Sequence, residues 1–358
     1  MESKPDLLDG LIVRAANPLN LEMPFEKLNG FTTPNESFYV RSHFPIPDIA
    51  AKDWSLKVEG EVEHPFTLNY DDLLALASHT SGATLECAGN NRDFLDPKVK
   101  GVQWALGAVG NASWTGPLLA SLLEKARVKS DAAEVILEGA DEGEIENPPK
   151  PAGKIRYARS LPLEKAMKDV LLAHSMNGQK LSATHGFPLR AIVPGWYAMA
   201  SVKWLHRIIV TNEPFAGYYQ SIDYTFWDRT ADGLPTLKPL SSMQIKAEIA
   251  QPERGEIVPA NADYRVHGAA WSSDAEIISV EISPDGGKTW KVAKLGPDSV
   301  KNSWRLWEYV WRTPAQPGPC ILMARAVDSK GRTQSFDRSG DRMTYMISHI
   351  LSIPVEVK

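Results

Sequence analysis

The chain has 358 residues, which is more than one hydrophobic core usually holds, so two domains are expected. Its hydrophobic content of 43% and charged content of 23% are those of an ordinary soluble globular protein, and its net charge of −5 argues against nucleic-acid binding. The two cysteines, Cys87 and Cys320, are too few for a disulfide framework or a thiolate-rich structural zinc site.

The chain also shows no targeting or membrane signal. Residues 1–6 lack the charged-then-apolar pattern of a leader, and no apolar run is long enough to cross a bilayer. We therefore expect a cytoplasmic protein that does not enter a membrane, or a periplasmic one if a leader was removed before this numbering begins.

The first third of the chain alternates irregular and strand-like segments. Residues 1–36 are rich in proline and asparagine and are predicted to be irregular. Residues 38–47 predict a strand that carries Arg41 and His43 and stops at two prolines. Taken singly, each of these two side chains would more often be structural than functional.

Residues 84–92 are the most distinctive stretch, because they place a thiol among small and amide side chains. Gly89 lets another group approach closely, and Asn90 and Asn91 favour turns. Arg92 would stabilise the thiolate of Cys87 if the fold turns it inward. A lone cysteine is usually a buried structural residue, so the neighbouring segments must decide between that reading and a metal-binding thiolate.

The middle of the chain mixes strands and helices. Residues 54–60 and 134–138 alternate as half-buried strands, and residues 70–76 predict a short helix. A helical apolar stripe covers residues 118–126, and a second helix is expected from residue 160 to 173. The glycines of residues 101–110 do not have the spacing of a dinucleotide-binding loop.

Cations then interrupt apolar, strand-like runs at His185, Arg190 and Lys203. Half-buried strands rarely carry cations unless an anion compensates them, so the three together favour an anionic ligand over three separate salt bridges. Residues 217–229 are rich in aromatic side chains and could pack as core or form the wall of a pocket.

From about residue 237 the chain predicts only strands, with turn sequences between them, the plainest at residues 284–287. This pattern fits an all-β module of about the size of an immunoglobulin-like sandwich. We therefore predict an α+β protein whose domains cover residues 1–236 and 237–358.

Taken together, these segments resemble the sulfite oxidase family of molybdenum enzymes. The resemblance runs from about residue 38 to the C-terminus and is carried by residues 38–47, 85–92, 104–114, 176–190 and 193–210 in that order. It implies a mixed α/β molybdopterin domain followed by an immunoglobulin-like dimerisation domain, and hence a homodimer.

The resemblance also implies roles for individual residues. Cys87 matches the thiolate that binds molybdenum, Arg41 an arginine beside the substrate oxyanion, and Tyr224 the active-site tyrosine. Trp104 matches part of the wall of the substrate pocket. Matches to positions around molybdopterin are Phe38, Tyr39, Arg41, His43, Arg92, Ala108, His185, Arg190 and Lys203. A soft thiolate suits a soft, redox-active metal, and one protein ligand suffices if the cofactor supplies the others.

One departure from the family pattern concerns the C-terminus. Members that oxidise sulfite usually carry a Trp-Asn-x-Arg-Gly stretch there, whereas residues 336–343 read Phe-Asp-Arg-Ser-Gly-Asp-Arg-Met. Arg338 or Arg342 could supply the missing arginine of the substrate pocket.

The resulting hypothesis is molybdenum-dependent oxidation of sulfite to sulfate by oxygen-atom transfer. The chain shows no haem or flavin domain, so electrons would pass to an external acceptor such as a c-type cytochrome or oxygen. Alternatives are a family member acting on another small oxyanion or S-oxide, a hydrolase with Cys87 as nucleophile and His43 or His185 as base, and a non-catalytic binding protein built on the β module.

Overall fold

The computed structural model describes residues 7, 8 and 10–358. Within these residues the protein is mostly β, with 26 strands and only four helices, each of four to eight residues. The predicted α+β class therefore overstates the helix content of the first domain.

The part of the chain before residue 240 contains all four helices. They are α1 Tyr70–Leu74, α2 Leu119–Ala126, α3 Leu163–Lys168 and α4 Tyr218–Ser221. The strands of this part are β1 Leu7–Leu8, β2 Leu11–Ala16, β3 Leu19–Glu22, β4 Val40–Arg41, β5 Ser55–Gly60, β6 Phe66–Asn69, β7 His79–Glu86, β8 Val109–Gly116, β9 Glu134–Glu144, β10 Lys154–Pro162, β11 Leu171–Ala173, β12 Ser175–Met176, β13 Gln179–Lys180, β14 Arg190–Ile192, β15 Leu205–Thr211, β16 Thr225–Arg229 and β17 Pro235–Pro239.

Two sheets of this N-terminal unit position the candidate site. One has the order β10-β9-β15-β5-β6, in which only β15 and β5 run parallel. The other has the order β13-β12-β8-β7, and β7 leads directly into Cys87. The burial of β9 alternates with a period of two from Val135 onward, so one face of this strand packs into the core.

The short helices form where the sequence indicates. Asn69 caps α1 by accepting from Asp72 N while the Asp72 carboxylate accepts from Asn69 N, a reciprocal capping box. In α2 the buried residues Leu119, Leu122, Leu123 and Ala126 make up the predicted stripe.

The C-terminal unit, residues 246–358, contains β18 Lys246–Gln251, β19 Ile257–Val258, β20 Asp263–Trp271, β21 Ile277–Ser283, β22 Lys291–Val292, β23 Lys294–Leu295, β24 Arg305–Arg312, β25 Gly318–Asp328 and β26 Ile353–Val357. They form two sheets, β18-β20-β24-β23 and β19-β26-β25-β21-β22. Side chains from both sheets make one hydrophobic core that includes Ile249, Val266, Val280, Leu322 and Val355. The turn at residues 284–287 joins β21 to β22 as a hairpin, as predicted.

Three local predictions were wrong. Residues 11–22, expected to be irregular, form β2 and β3. The expected helix from 160 to 173 is only α3, because Ser160 lies in β10 and Leu171–Ala173 pairs with β14. Residues 38–47 contain only the two-residue strand β4. In the segment from 160 to 173, pairing of both ends with other strands overrode the local helical pattern, whereas residues 11–22 pair with each other as a hairpin.

The two units share a core. The hydrophobic cluster of the N-terminal unit includes Ala269, Trp271, Trp304, Tyr345 and Met346 from the C-terminal unit. Strand β17 also crosses the expected boundary at residue 236 and pairs with β16. The boundary itself stays a prediction, and the packing shows that the C-terminal unit contributes to the interior of the first.

Candidate active site

A cavity in the N-terminal unit brings together segments that are up to 186 residues apart in the chain, from Phe38 to Tyr224. Its lining contains one thiol, one carboxyl group, three strong bases, two histidines and several aromatic and small side chains. The lining residues are Phe38, Tyr39, Arg41, Ser42, His43, Cys87, Ala88, Asp141, Tyr157, Thr184, His185, Arg190, Ala198, Met199, Ser201, Val202, Lys203, Trp204 and Tyr224.

Cys87 reaches this cavity because β7 ends one residue before it. Its backbone N–H donates to Ala108 O at 2.9 Å, and its carbonyl accepts from Asn90 N at 2.9 Å, which closes a tight turn. The turn ends at Asn91 in the left-handed conformation, with φ of 71°. Both cysteines are free, and the side chain of Cys87 is buried but faces the cavity.

Arg92 does not turn toward the thiol. Its guanidinium donates to Thr344 O at 3.1 Å and to Val102 O at 2.7 Å. A Cβ on Gly89 or Gly101 would overlap this guanidinium, so the two glycines make room for the arginine and not for a ligand.

Three cations line the cavity, and no carboxylate of the residues that the structure describes lies within 4 Å of any of them. Arg41 donates to Asn20 Oδ1 at 3.2 Å, Arg190 donates to His185 O at 3.1 Å, and Lys203 donates to Thr184 O at 3.0 Å. The described ion pairs of the protein include none of these three side chains. Arg190 Nε is buried and has no hydrogen-bond partner in the described part of the chain.

Burial shifts the pKa values of these side chains. Enclosure by protein atoms lowers the pKa of Arg190 to about 10 and lowers the pKa of Lys203 well below its usual range, with a further contribution to the latter from Arg190. Asp141, the one carboxyl group in the lining, has its pKa raised to about 6 by burial. The cavity is thus short of negative charge, which a bound anion would supply.

Tyr224 and His43 form the polar end of the cavity. The Tyr224 hydroxyl lies 2.7 Å from His43 Nε2, and the imidazole stacks on Tyr157 with ring centroids 4.6 Å apart. Burial lowers the pKa of His43 well below its usual value, and the positive charges of Arg41 and Lys203 lower it further, so the imidazole is neutral. Burial likewise raises the pKa of Tyr224, which keeps its phenol protonated.

The backbone of Tyr224 is strained, since its φ of 51° lies in the left-handed region. Asp223 Oδ1 accepts from Tyr224 N at 3.0 Å, and the Tyr345 hydroxyl donates to the same carboxylate. The Tyr345 ring also packs on the Tyr224 ring, with centroids 5.0 Å apart. A side chain from the C-terminal unit therefore supports this conformation.

The structure brings together most of the residues that the sequence singles out. Phe38, Tyr39, Arg41, His43, Cys87, His185, Arg190, Lys203 and Tyr224 all line the cavity. His185 Nε2 lies 3.0 Å from Asn35 O, and burial lowers its pKa to about 4, with Arg190 adding to the effect.

Five other predicted residues lie outside the lining. Trp104 is fully buried behind Tyr39, with ring centroids 6.4 Å apart, and Ala108 supports Cys87 through its carbonyl. Arg92 binds backbone carbonyls, and Arg338 donates to Met343 O and, at 2.9 Å, to Tyr345 O. Arg342 lies over the Phe226 ring at 5.3 Å.

Sequence reasoning missed several lining residues, of which Asp141 is the most informative. The sequence analysis ends the predicted strand at residue 138, whereas β9 continues through Asp141 to Glu144. Extending the alternation of Val135 and Leu137 by two steps places Gly139 and Asp141 on the same buried face. A carboxyl group at such a position indicates a polar site, and that signal was available.

Comparison with known proteins identifies the family to which the chain belongs. Residues 43–219 match the model of the oxidoreductase molybdopterin binding domain, and residues 238–348 match the Mo-co oxidoreductase dimerisation domain. The chain is 37% identical to mitochondrial sulfite oxidase of Drosophila melanogaster over 88% of its length, and 34% identical to sulfite oxidase of Gallus gallus over 91% of its length and 73% of the relative. The chain belongs to the sulfite oxidase family.

Other similarities extend this assignment. The chain spans only 58% of the fly protein and 61% of its mouse counterpart. It is 35% identical to nitrate reductase of Aspergillus niger over 78% of its length and 34% of that protein. The fold superposes on the crystal structure of the sulfane dehydrogenase SoxCD from Paracoccus pantotrophus with a TM-score of 0.79, 26% identity, and coverage of 98% of this chain and 86% of the other.

The cavity fits the molybdopterin cofactor of this family. Arg190, Lys203 and Arg41 offer uncompensated positive charge and one unpartnered donor to an anionic group, and Cys87 offers a thiol to a metal. When bound, this cofactor supplies oxygen-atom and electron transfer. Among the described residues, no three His, Cys, Asp or Glu side chains cluster as a metal site, and no helix is long and apolar enough to cross a membrane.

The uncompensated charge predicts that Lys203→Met lowers cofactor retention and leaves the stability of the protein nearly unchanged. The cofactor-free variant should keep its free energy of unfolding within about 1 kcal/mol, because an apolar isostere replaces a poorly compensated buried charge. The purified enzyme should retain less molybdenum than the wild type, as measured by elemental analysis. Lys129→Met, which alters an exposed lysine paired with Glu61, is the matched control and should change neither quantity. Full molybdenum content in Lys203→Met would contradict a role in cofactor binding.

Proposed function

We propose that the protein oxidises sulfite to sulfate at a molybdenum centre bound by Cys87. The observation that carries this proposal is that one cavity contains a free thiol and three cations, and that none of the three has an ion-pair partner among the described residues. The sulfite oxidases among its relatives support the choice of substrate.

The side chains suggest how a small oxyanion would be held. Arg41 has no carboxylate partner and can bind substrate oxygens through charge-assisted hydrogen bonds. The protonated phenol of Tyr224, oriented by His43, can donate to a reacting oxygen at the same end of the cavity. The neutral imidazole accepts or donates through Nε2 without adding a charge of its own.

The balanced reaction is sulfite plus water giving sulfate, two protons and two electrons. The electrons leave one at a time to an external one-electron acceptor, for which a c-type cytochrome is the proposed class and oxygen the alternative. The C-terminal unit is proposed to be an immunoglobulin-like sandwich that forms a homodimer, in line with its match to the dimerisation domain.

A second candidate is reaction with another small oxyanion or S-oxide, which the similarity to nitrate reductase favours. The altered C-terminal stretch supports the same alternative, because Arg338 and Arg342 both lie outside the cavity lining. Comparing turnover of sulfite, nitrate and sulfoxides by the purified enzyme separates the two candidates.

The hydrolase alternative has little support from the geometry. His43 pairs with Tyr224, and His185 lies 3.0 Å from a backbone carbonyl. Within the described part of the chain, neither imidazole hydrogen-bonds Cys87, as a thiol–imidazole pair would require.

Cys87→Ser tests the proposal directly, because a hydroxyl is a poor replacement for a thiolate at a soft metal. We expect sulfite oxidation per protein to fall by at least about 100-fold with an artificial electron acceptor. Cys320→Ser, which removes the other free cysteine, should keep wild-type activity. Sulfite turnover at the wild-type rate in Cys87→Ser would refute the proposal.

Arg41→Gln tests the placement of the substrate. Removing one charge-assisted contact should weaken binding by about 1.5–3 kcal/mol, so steady-state KM for sulfite should rise about tenfold or more. Arg127→Gln alters an exposed arginine in the same unit and serves as control. An unchanged KM in Arg41→Gln would remove Arg41 from the substrate site.

A further inference from the structure

A lysine of the C-terminal unit lies beside the Cys87 turn. Lys246 begins β18 and is 3% exposed. Its ammonium lies 2.5 Å from Glu86 Oε1 and also donates to Asn91 Oδ1. Glu86 directly precedes Cys87, and Asn91 ends the turn four residues after it, so one ammonium holds both ends of the turn.

The neighbouring strand strengthens this contact. Trp271 Nε1 donates to Glu86 Oε2 at 3.0 Å, and Trp271 is the residue opposite Lys246 in the pairing of β18 with β20. Both carboxylate oxygens of Glu86 are therefore bound by the C-terminal unit. Backbone hydrogen bonds also close the Cys87 turn, such as Asn91 N to Ala105 O at 2.8 Å.

These contacts restrict the position of the Cys87 turn. A buried ammonium that loses its partners is strongly destabilising, so Lys246 keeps its place only while Glu86 and Asn91 keep theirs. Since those two residues flank the turn, any displacement of Cys87 that moves either end breaks a buried charged contact.

We propose that Lys246 is a positioning residue, which acts across the interface between the two units to hold the Cys87 turn in the geometry required for metal binding. This rests on the proposed function only in assigning the metal to Cys87, since the contacts that hold the turn do not involve the cavity. The C-terminal unit would then position the metal-binding turn in addition to forming any dimer contact.

A second carboxyl group near the ammonium provides a matched comparison. Glu248 Oε1 lies 3.5 Å from Lys246 Nζ, a longer contact than the 2.5 Å between the same ammonium and Glu86 Oε1. It is as buried as Glu86 but belongs to β18 and not to the segment that leads into Cys87. Glu86→Gln and Glu248→Gln thus make the same change on two sides of one lysine.

The test measures hydrogen–deuterium exchange of the peptide that covers residues 85–92, in the purified full-length enzyme. In Lys246→Met we expect this peptide to exchange about tenfold faster, while a peptide from β9 keeps its rate. Lys294→Met, which breaks an exposed ion pair with Glu308 in the same unit, should change neither peptide. The EPR spectrum of the half-reduced enzyme, recorded per molybdenum, should shift in Lys246→Met and not in Lys294→Met.

The glutamate variants keep the proposal testable if Lys246→Met does not fold. Glu86→Gln should accelerate exchange of the peptide severalfold, and Glu248→Gln should leave it within about twofold of the wild type. Equal effects of the two substitutions, or wild-type exchange in both Glu86→Gln and Lys246→Met, would overturn the proposal. A wild-type enzyme without molybdenum would instead refute the proposed function, because the exchange comparison does not depend on the metal.

Discussion

The charge balance of one cavity is the constraint to which the rest of the structure is adapted. Arg41, Arg190 and Lys203 come from three separate segments and face a space that offers Asp141 as its one carboxyl group. Proteins rarely bury cations without compensation, because the loss of hydration is large. Backbone carbonyls satisfy these side chains only in part, and among residues 7, 8 and 10–358 none pairs with Arg190 Nε. A bound anionic cofactor would supply the missing negative charge and offset the cost of burying these three cations.

This constraint also explains which site residues could be predicted from the sequence. Arg190 and Lys203 interrupt apolar runs, so each produces a local signal that a neighbouring anion is needed. Asp141 is a carboxyl group in register with buried aliphatic residues, which would also indicate a polar site. The predicted strand stops at residue 138, whereas β9 runs to Glu144, so this signal was missed. The side-chain partners of Arg92 could not be predicted, because Thr344 lies 252 residues away and is bound through its backbone oxygen.

The fold shows the same division between local and distant causes. Helix α2 and strands β5, β9 and β15 follow the periodicity of their own residues, so the sequence identifies them. The segment from Ser160 to Ala173 has helical end signals, but its two ends are taken up by β10 and β11. The secondary structure of such a segment is set by backbone pairing with distant strands, and the residues of the segment itself do not show which strands these are.

The cavity depends on the C-terminal unit as much as on its own sheets. Met346 N donates to Ala88 O at 2.9 Å, next to the thiol, and Tyr345 holds the Asp223 carboxylate that fixes the strained Tyr224. Left-handed backbone at non-glycine residues costs on the order of 1–3 kcal/mol each and persists only where neighbouring contacts enforce it. Tyr224 and Met346 are both in this region, with φ of 51° and 55°, and both belong to the hydrophobic cluster that the two units share. Both strained residues therefore lie where the two units pack together, so separating the units would remove the Tyr345 contact that supports the phenol and the Met346 contact next to the thiol.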